Sequence, residues 1–146
     1  MPARVYGVLS LVTFAGAVAI AVWAGWRESP ALGVGYAALA LVSLLVIVAV
    51  FCGKCAARDR CGHVVLGPIA RLIRKELKVS PYTSLELTLT SVLLALTFVL
   101  PLGWLWRYPL ALGVYALFLV LGAIDVGARV CPACNNAACP LSKASS

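Results

Sequence analysis

Four long hydrophobic runs dominate the pattern of apolar and polar positions along this chain. They cover residues 5–26, 31–52, 85–106 and 110–128. Because a helix needs about 20 apolar residues to cross the hydrocarbon core of a bilayer, each run predicts a transmembrane helix. The links between paired runs are very short, which predicts two tight hairpins with Pro30 and Pro109 in the first turn of each returning helix.

The composition agrees with this interpretation. Of the 146 residues, 63% are hydrophobic and 12% are charged, which leaves too few charges to cover a water-facing globule. The four runs also use most of the chain, so we expect no separate soluble domain. The predicted fold class is an all-α integral membrane protein with four transmembrane helices arranged as two tandem hairpins.

The segment between the hairpins is strongly basic. It contains only two acids, Asp59 and Glu76, against seven cations: Lys54, Arg58, Arg60, Arg71, Arg74, Lys75 and Lys78. Short loops rich in lysine and arginine stay on the cytoplasmic side of a membrane. We therefore expect the protein in the cell (plasma) membrane, with both termini cytoplasmic and both tight turns outside. The same rule explains the net charge of +7 without a nucleic-acid partner.

Hydrophobic residues recur at helical spacing inside this basic segment. They are Val65, Leu66, Ile69, Leu72, Ile73 and Leu77, with cations between them. Such a pattern is typical of an amphipathic helix that lies in the membrane interface. We predict that residues 63–82 form a cytoplasmic linker helix that contacts the inner leaflet of the lipid bilayer.

The two hairpins resemble each other in sequence. Residues 26–37 (WRESPALGVGYA) and 106–116 (WRYPLALGVYA) share a turn motif at an offset of 80, and six cysteines follow at offsets of 78 or 79. This agreement favours an internal duplication, with repeat 1 at 1–62 and repeat 2 at 83–146. Parallel repeats are related by a pseudo-two-fold axis along the membrane normal, which would bring the two cysteine motifs toward one centre.

Each repeat ends in a three-cysteine motif that directly follows a hydrophobic run. The candidate metal ligands are Cys52, Cys55, Cys61 and His63 in motif one, and Cys131, Cys134 and Cys139 in motif two. A C-x2-C pair lets two thiolates from one turn hold a single metal ion, and the third cysteine would fold the following loop back onto it. Cations such as Lys54 would offset the negative charge of a thiolate cluster.

The identity of the metal is open at this point. Iron–sulfur clusters take cysteine thiolates, often with a proline after a ligand, as in Cys131-Pro132 and Cys139-Pro140. Zinc also binds thiolates and would form a structural site. A soft ion such as copper(I) or mercury is a further candidate, although no cysteine, methionine or histidine lies inside the predicted helices to relay it, since Met1 is the only methionine. Disulfides would be unusual in a reducing cytosol.

The leading functional hypothesis is an iron–sulfur protein that transfers electrons between the cytosol and a membrane quinone or redox partner protein. The alternatives are a non-enzymatic scaffold with a structural zinc site and a soft-metal transporter or sensor. Whether the protein is an enzyme is left open, because the sequence contains no motif of a hydrolase or transferase. The exposed surface of a small pseudo-symmetric bundle is also compatible with a homodimer.

Two acidic residues, Glu86 and Asp125, lie within the hydrophobic runs. Ionisable groups in a membrane are costly and often functional, so a proton or cation path is one hypothesis. Ion pairing is the other, because Asp125 precedes Arg129 by four residues, which is the spacing of a helical i,i+4 pair.

Overall fold

A computed structural model describes residues 3–55, 65–73 and 82–133, and the regular elements in these ranges are helical. The helices are α1 (Ala3–Glu28), α2 (Pro30–Val50), α3 (Leu66–Ile73), α4 (Ser84–Phe98), α5 (Leu102–Leu105) and α6 (Pro109–Asp125). Hairpin 1 is α1 with α2, and hairpin 2 comprises α4, α5 and α6.

Four helical segments are long and apolar enough to cross a membrane. They are Val5–Glu28, Pro30–Lys54, Ser84–Leu105 and Pro109–Val130. These segments match the four hydrophobic runs, so the predicted all-helical fold with four membrane-length helices is confirmed. The internal duplication, the pseudo-two-fold axis and the division into repeats stay predictions.

Short-range hydrogen bonds define where two of the helices begin. Ser29 has an extended backbone and its Oγ accepts the N–H of Leu32 at 3.1 Å, while Pro30 occupies the first turn of α2. Thr83 and Glu86 form a reciprocal capping box at the start of α4, with N···O distances of 2.9 and 3.3 Å. Each cap satisfies backbone N–H groups that have no partner in the first helical turn.

The long helices pack as antiparallel neighbours. α1 contacts α2 and α6, and α2 contacts α4. Two contacts set the register of α2 on α4: the Tyr36 hydroxyl bonds to Thr97 O, and the Phe51 ring stacks on Tyr82 with centroids 4.4 Å apart. The start of α4 therefore lies beside the end of α2.

Small residues of α1 and mostly aromatic residues of the other helices form the interior of the bundle. Its buried cluster consists of Ala17, Ala21, Ala24, Tyr36, Trp104, Leu105 and Tyr115. The three alanines belong to α1 and let neighbouring helices approach its backbone closely. Trp104 meets Tyr36 edge-on and donates its indole N–H to Ala21 O at 3.0 Å. Many large apolar side chains remain exposed on the outside, which suits contact with a lipid bilayer.

The third membrane-length segment is interrupted at Pro101. Proline has no backbone N–H, so Thr97 O lacks the helical partner that it would find four residues later. The N–H of Leu102 donates to Val99 O at 3.1 Å, and Phe98 O therefore also lacks its helical partner. This interruption separates α4 from α5, and it refines the prediction of one continuous helix.

Two buried tyrosines satisfy the carbonyls that the interruption releases. Tyr36 in α2 donates its hydroxyl to Thr97 O at 2.7 Å, and Tyr115 in α6 donates to Phe98 O at 2.8 Å. Tyr36 is 3% exposed and Tyr115 is 0% exposed, so water does not compete for these bonds. Lipid offers no hydrogen-bond donors, and the neighbouring helices supply the donors that this interruption requires.

The two tight turns are joined at one end of the bundle. Glu28 forms an ion pair with Arg107 and accepts the Tyr108 hydroxyl at 3.2 Å. Trp23 packs edge-on against Tyr108 with ring centroids 5.7 Å apart. Because Glu28 and Trp23 belong to hairpin 1 and their partners to hairpin 2, these contacts connect the hairpins at this end.

Candidate metal centre

Three of the predicted ligands, Cys52, Cys55 and Cys131, lie at the same end of the bundle, which we call the cysteine end. α2 ends just before Cys52 and packs there against the start of α4. α6 leads through a π-helical turn to Cys131, and this last turn packs against the start of α1. The structure therefore brings the beginnings of both motifs to one end, and all three cysteines are half-buried.

The first cysteine pair is carried by a tight 3₁₀ turn over Cys52–Lys54. The N–H of Cys55 donates to Cys52 O at 3.2 Å and closes this turn. Cys52 opens the turn, and Cys55 follows it with an extended backbone. The turn thus keeps the two cysteines of the C-x2-C pair close together along the chain, as a pair that holds one metal ion requires.

The second motif begins after a change of helix type. The N–H of Cys131 donates to Val126 O, five residues back, at the end of a π-helical turn over Val126–Val130. One extra residue in a helix rotates the following side chains by about 100°. The chain then enters a 3₁₀ turn over Cys131–Ala133, the same local structure that carries the first cysteine pair. π-helical turns of this kind are frequent at functional sites.

Lys54, which lies between Cys52 and Cys55 in sequence, is held by hairpin 2. Its Nζ lies 2.5 Å from Glu86 Oε1, and the two side chains are only 13% and 21% exposed. Next to this pair, the Tyr82 ring stacks on Phe51 and its hydroxyl donates to Phe51 O at 3.1 Å. The first cysteine turn is therefore fixed against the start of α4.

The approach to motif two is held by hairpin 1 in a comparable way. The Arg129 guanidinium lies 4.4 Å from the centroid of the Tyr6 ring in α1, a cation–π contact. The same side chain pairs with Asp125, with Nη1 3.0 Å from Oδ1, at the i,i+4 spacing. Tyr6 and Glu86 are 80 residues apart in sequence, and each receives a cation from the other hairpin. A proton or cation path through Glu86 and Asp125 stays a prediction.

α3 packs beside the first cysteine turn. It contacts α2 and the turn at Cys52–Lys54, and its Gly67 and Ala70 are buried. Leu72 on the opposite side is 79% exposed, and Val65 next to the helix is also exposed. An exposed apolar side suits the predicted interfacial position, which stays a prediction together with the part of the linker outside the described residues.

The remaining predicted ligands, Cys61, His63, Cys134 and Cys139, lie outside the described residues. In the part of the chain that the structure describes, no three His, Cys, Asp or Glu side chains are grouped closely enough to hold a metal ion. The structure thus shows where both motifs begin, and the complete ligand set stays a prediction.

Some structural features of the cysteine end can be predicted from the sequence pattern, and others cannot. Thr83 followed three residues later by Glu86 is the spacing of a capping box, which indicates where α4 begins and on which turn Glu86 lies. Nothing in the sequence pattern indicates that Glu86 pairs with Lys54, because the two residues come from different hairpins. The π-helical turn before Cys131 has no sequence signal either.

Comparison with known proteins identifies no relative of this chain. No protein-family model matches it, and no curated protein and no solved structure matches it.

Proposed function

We propose that this chain is a membrane-embedded metal–thiolate protein whose cysteines bind an iron–sulfur cluster at the cysteine end. The observation that supports this proposal most strongly is the position of both cysteine motifs, which begin in 3₁₀ turns at one end of the bundle. Such a protein would transfer electrons between the cytosol and a membrane quinone or a redox partner protein.

The surroundings of the described cysteines suit a thiolate centre. Their half-buried positions would shield a cluster from much of the solvent and still leave it near the surface, where a redox partner docks. Lys54 adds a positive charge within the first cysteine pair, which offsets part of the charge of metal-bound thiolates. Its ion pair with Glu86 holds the ammonium group at the turn and also cancels part of its charge, so the net positive charge at the turn is small.

Two prolines favour iron–sulfur chemistry over zinc. The ligand count does not separate the two, because six thiolates exceed both the four of one iron–sulfur cluster and the four of a zinc site built from cysteines alone. Pro132 and Pro140 each directly follow a cysteine, as a proline follows a ligand in bacterial ferredoxins. Zinc is the alternative, since a closed zinc site would lock the two hairpins together in a non-enzymatic scaffold. A soft-metal transporter or sensor has less support, because no cysteine, methionine or histidine lies in the middle of the spanning segments to relay an ion.

Metal analysis of the full chain, purified without oxygen, tests the proposal. We expect iron and acid-labile sulfide in similar amounts, together with visible absorption that bleaches on reduction. Protein that is colourless and contains zinc without iron would replace the iron–sulfur proposal with the zinc scaffold. Protein without any bound metal would contradict both.

Cysteine variants then test whether the motifs build one centre. If both motifs share a cluster, Cys52→Ser and Cys131→Ser should each abolish the iron content and the visible absorption. If each motif binds its own cluster, either variant should remove about half of the iron. Ser91→Ala, a small change on the exposed side of α4, is the control and should leave the iron content unchanged.

We also propose that the cysteine end faces the cytoplasm of a cell whose plasma membrane contains the protein. The basic segment between the hairpins supports this orientation. Arg27 is exposed at the opposite tight turn, so an Arg27→Cys variant in a background without other cysteines should react with an impermeant thiol reagent on intact cells. Labelling of Cys61 from outside, in metal-free protein, would reverse the orientation.

A further inference from the structure

Two hydroxyl groups inside the bundle lack a hydrogen-bond partner among the described residues. They are Ser43 Oγ in α2 and Thr90 Oγ1 in α4, and both oxygens are shielded from the surface. Ser43 is 1% exposed. A hydroxyl group buried without a partner is costly, and nearly all such groups in native proteins are satisfied by protein or by ordered water.

The register of the two helices places these hydroxyls opposite each other. Ser43 follows Tyr36 by seven residues and Thr90 precedes Thr97 by seven, so the two hydroxyls lie one step along from the Tyr36–Thr97 hydrogen bond. Seven residues are nearly two helical turns, which puts each hydroxyl on the same side of its helix as the residue that makes that bond. Both side chains therefore face the interface between α2 and α4.

A second contact confirms the alignment from the other direction. Phe51 follows Ser43 by eight residues, and Tyr82 precedes Thr90 by eight, and these two rings stack on each other. Contacts on both sides thus align Ser43 with Thr90. The pair lies within the membrane-spanning part, about 10 Å along the helices from the Tyr36–Thr97 bond.

We propose that Ser43 and Thr90 bind one water molecule between hairpin 1 and hairpin 2. The two hydroxyls do not bond to each other, and neither bonds to a carbonyl of its own helix. A water molecule can donate and accept at once, so a single molecule satisfies both groups, and two polar partners meet the minimum for an ordered internal water. This site is independent of the proposed metal centre.

Other buried hydroxyls in the bundle behave differently. Ser10 precedes Thr90 by 80 residues and is fully buried, but its Oγ donates to Gly7 O at 3.1 Å. Thr97 donates to Leu93 O at 2.8 Å. These hydroxyls are satisfied by their own helices, which is the usual arrangement for serine and threonine in a helix. Ser43 and Thr90 both lack such a bond to their own helix, and they lie at the same height in the bundle, which indicates that they share one bound water molecule.

A stability cycle on the full chain in detergent micelles tests whether the two hydroxyls act together. The variants are Ser43→Ala, Thr90→Val and the double variant, and the readout is the midpoint of thermal unfolding. A shared water predicts that each single variant lowers the midpoint, and that the double variant lowers it no further than the more harmful single variant. Ser10→Ala is the matched control, and its effect should add to that of Ser43→Ala.

Infrared difference spectra test whether the molecule bound between the two hydroxyls is water. In wild-type-minus-Ser43→Ala difference spectra we expect an O–H stretching band that shifts in water enriched in oxygen-18. Thr90→Val should lose this band, whereas Thr90→Ser and Ser10→Ala should retain it. Additive losses of stability would overturn the proposal. Non-additive losses without an isotope-sensitive band would also overturn it, because they would mean that the two hydroxyls bond directly to each other.

Discussion

Hairpin 1 and hairpin 2 share a turn motif but differ in their first helix. α1 continues without interruption through Ala21, whereas the residue 80 positions later is Pro101, where hairpin 2 is broken between α4 and α5. The break is tolerated because Tyr36 and Tyr115 donate to the two released carbonyls. These tyrosines come from opposite hairpins and are 79 residues apart. The comparison teaches that an interrupted membrane helix requires donors from its neighbours, and here both returning helices supply one.

The returning helices differ in how closely they approach their partners. A Cβ atom on Gly33 of α2 would lie 2.9 Å from backbone atoms of Trp26 in α1. Gly113, 80 residues later in α6, has no heavy atom of the described residues within 4 Å of the same position apart from its own stretch of helix. Hairpin 1 is therefore closed by backbone contact near its turn, and hairpin 2 is open at the matching position.

The largest effect on stability is expected when Gly33 is replaced by a larger residue, with the same replacement at Gly113 for comparison. Gly33→Ala forces the Trp26 backbone to move, and overpacking of this kind costs about 1–3 kcal/mol of unfolding free energy. Gly33→Leu should prevent hairpin 1 from closing. Gly113→Ala and Gly113→Leu are the matched controls and should change the unfolding free energy by less than about 0.5 kcal/mol. Reversible unfolding in mixed micelles measures all four, and equal losses at both glycines would remove the difference between the hairpins.

The next largest effect on stability is expected when the tyrosine hydroxyls that donate to the carbonyls released at Pro101 are removed. Tyr36→Phe and Tyr115→Phe keep the buried rings but leave Thr97 O or Phe98 O without a partner, which costs about 1–3 kcal/mol for each variant. Pro101→Ala provides the test of mechanism, because it restores an N–H that can reach Thr97 O. In that background Tyr36→Phe should cost clearly less. If its cost is the same in the wild-type and the Pro101→Ala backgrounds, the hydroxyl does not act through the interruption.

A smaller effect is expected at the cysteine end, where each hairpin holds a cation of the other. Glu86→Gln removes the charge that holds Lys54, and Tyr6→Leu removes the ring beneath Arg129. The Lys54–Glu86 pair is the more shielded contact, so Glu86→Gln should lower the thermal midpoint of metal-free protein more than Tyr6→Leu. Because glutamine also closes a capping box, Glu86→Gln tests the ion pair alone, and Lys54→Met should cause a similar loss. No loss in either variant would mean that Glu86 acts only through its capping box with Thr83.

The features that the sequence predicts and those that it does not predict differ in physical origin. Helix number and length follow from the hydrophobic runs, because apolar length is itself the requirement for crossing a bilayer. Both cysteine motifs lie at the same end of the bundle because two spanning segments separate Cys55 from Cys131, and two crossings return the chain to the side from which it started. Contacts between hairpins depend on the rotation of each helix, and uniformly apolar helices do not encode rotation, since lipid-facing and buried positions are equally hydrophobic. Ser43 opposite Thr90 is therefore visible only in the structure.

The smallest effect is expected at the opposite end, where Glu28 joins the two turns. Arg107 is 70% exposed, so water and salt compete with its ion pair, and Arg107→Gln should cost less than about 1 kcal/mol. Glu28→Gln should cost slightly more, because Glu28 also accepts the Tyr108 hydroxyl. Unfolding at low and high salt separates the two contributions: salt should remove the effect of Arg107→Gln and leave the part due to Tyr108. A larger loss here than at Gly33 would mean that charges between the turns, rather than backbone contact within hairpin 1, hold this end of the bundle together.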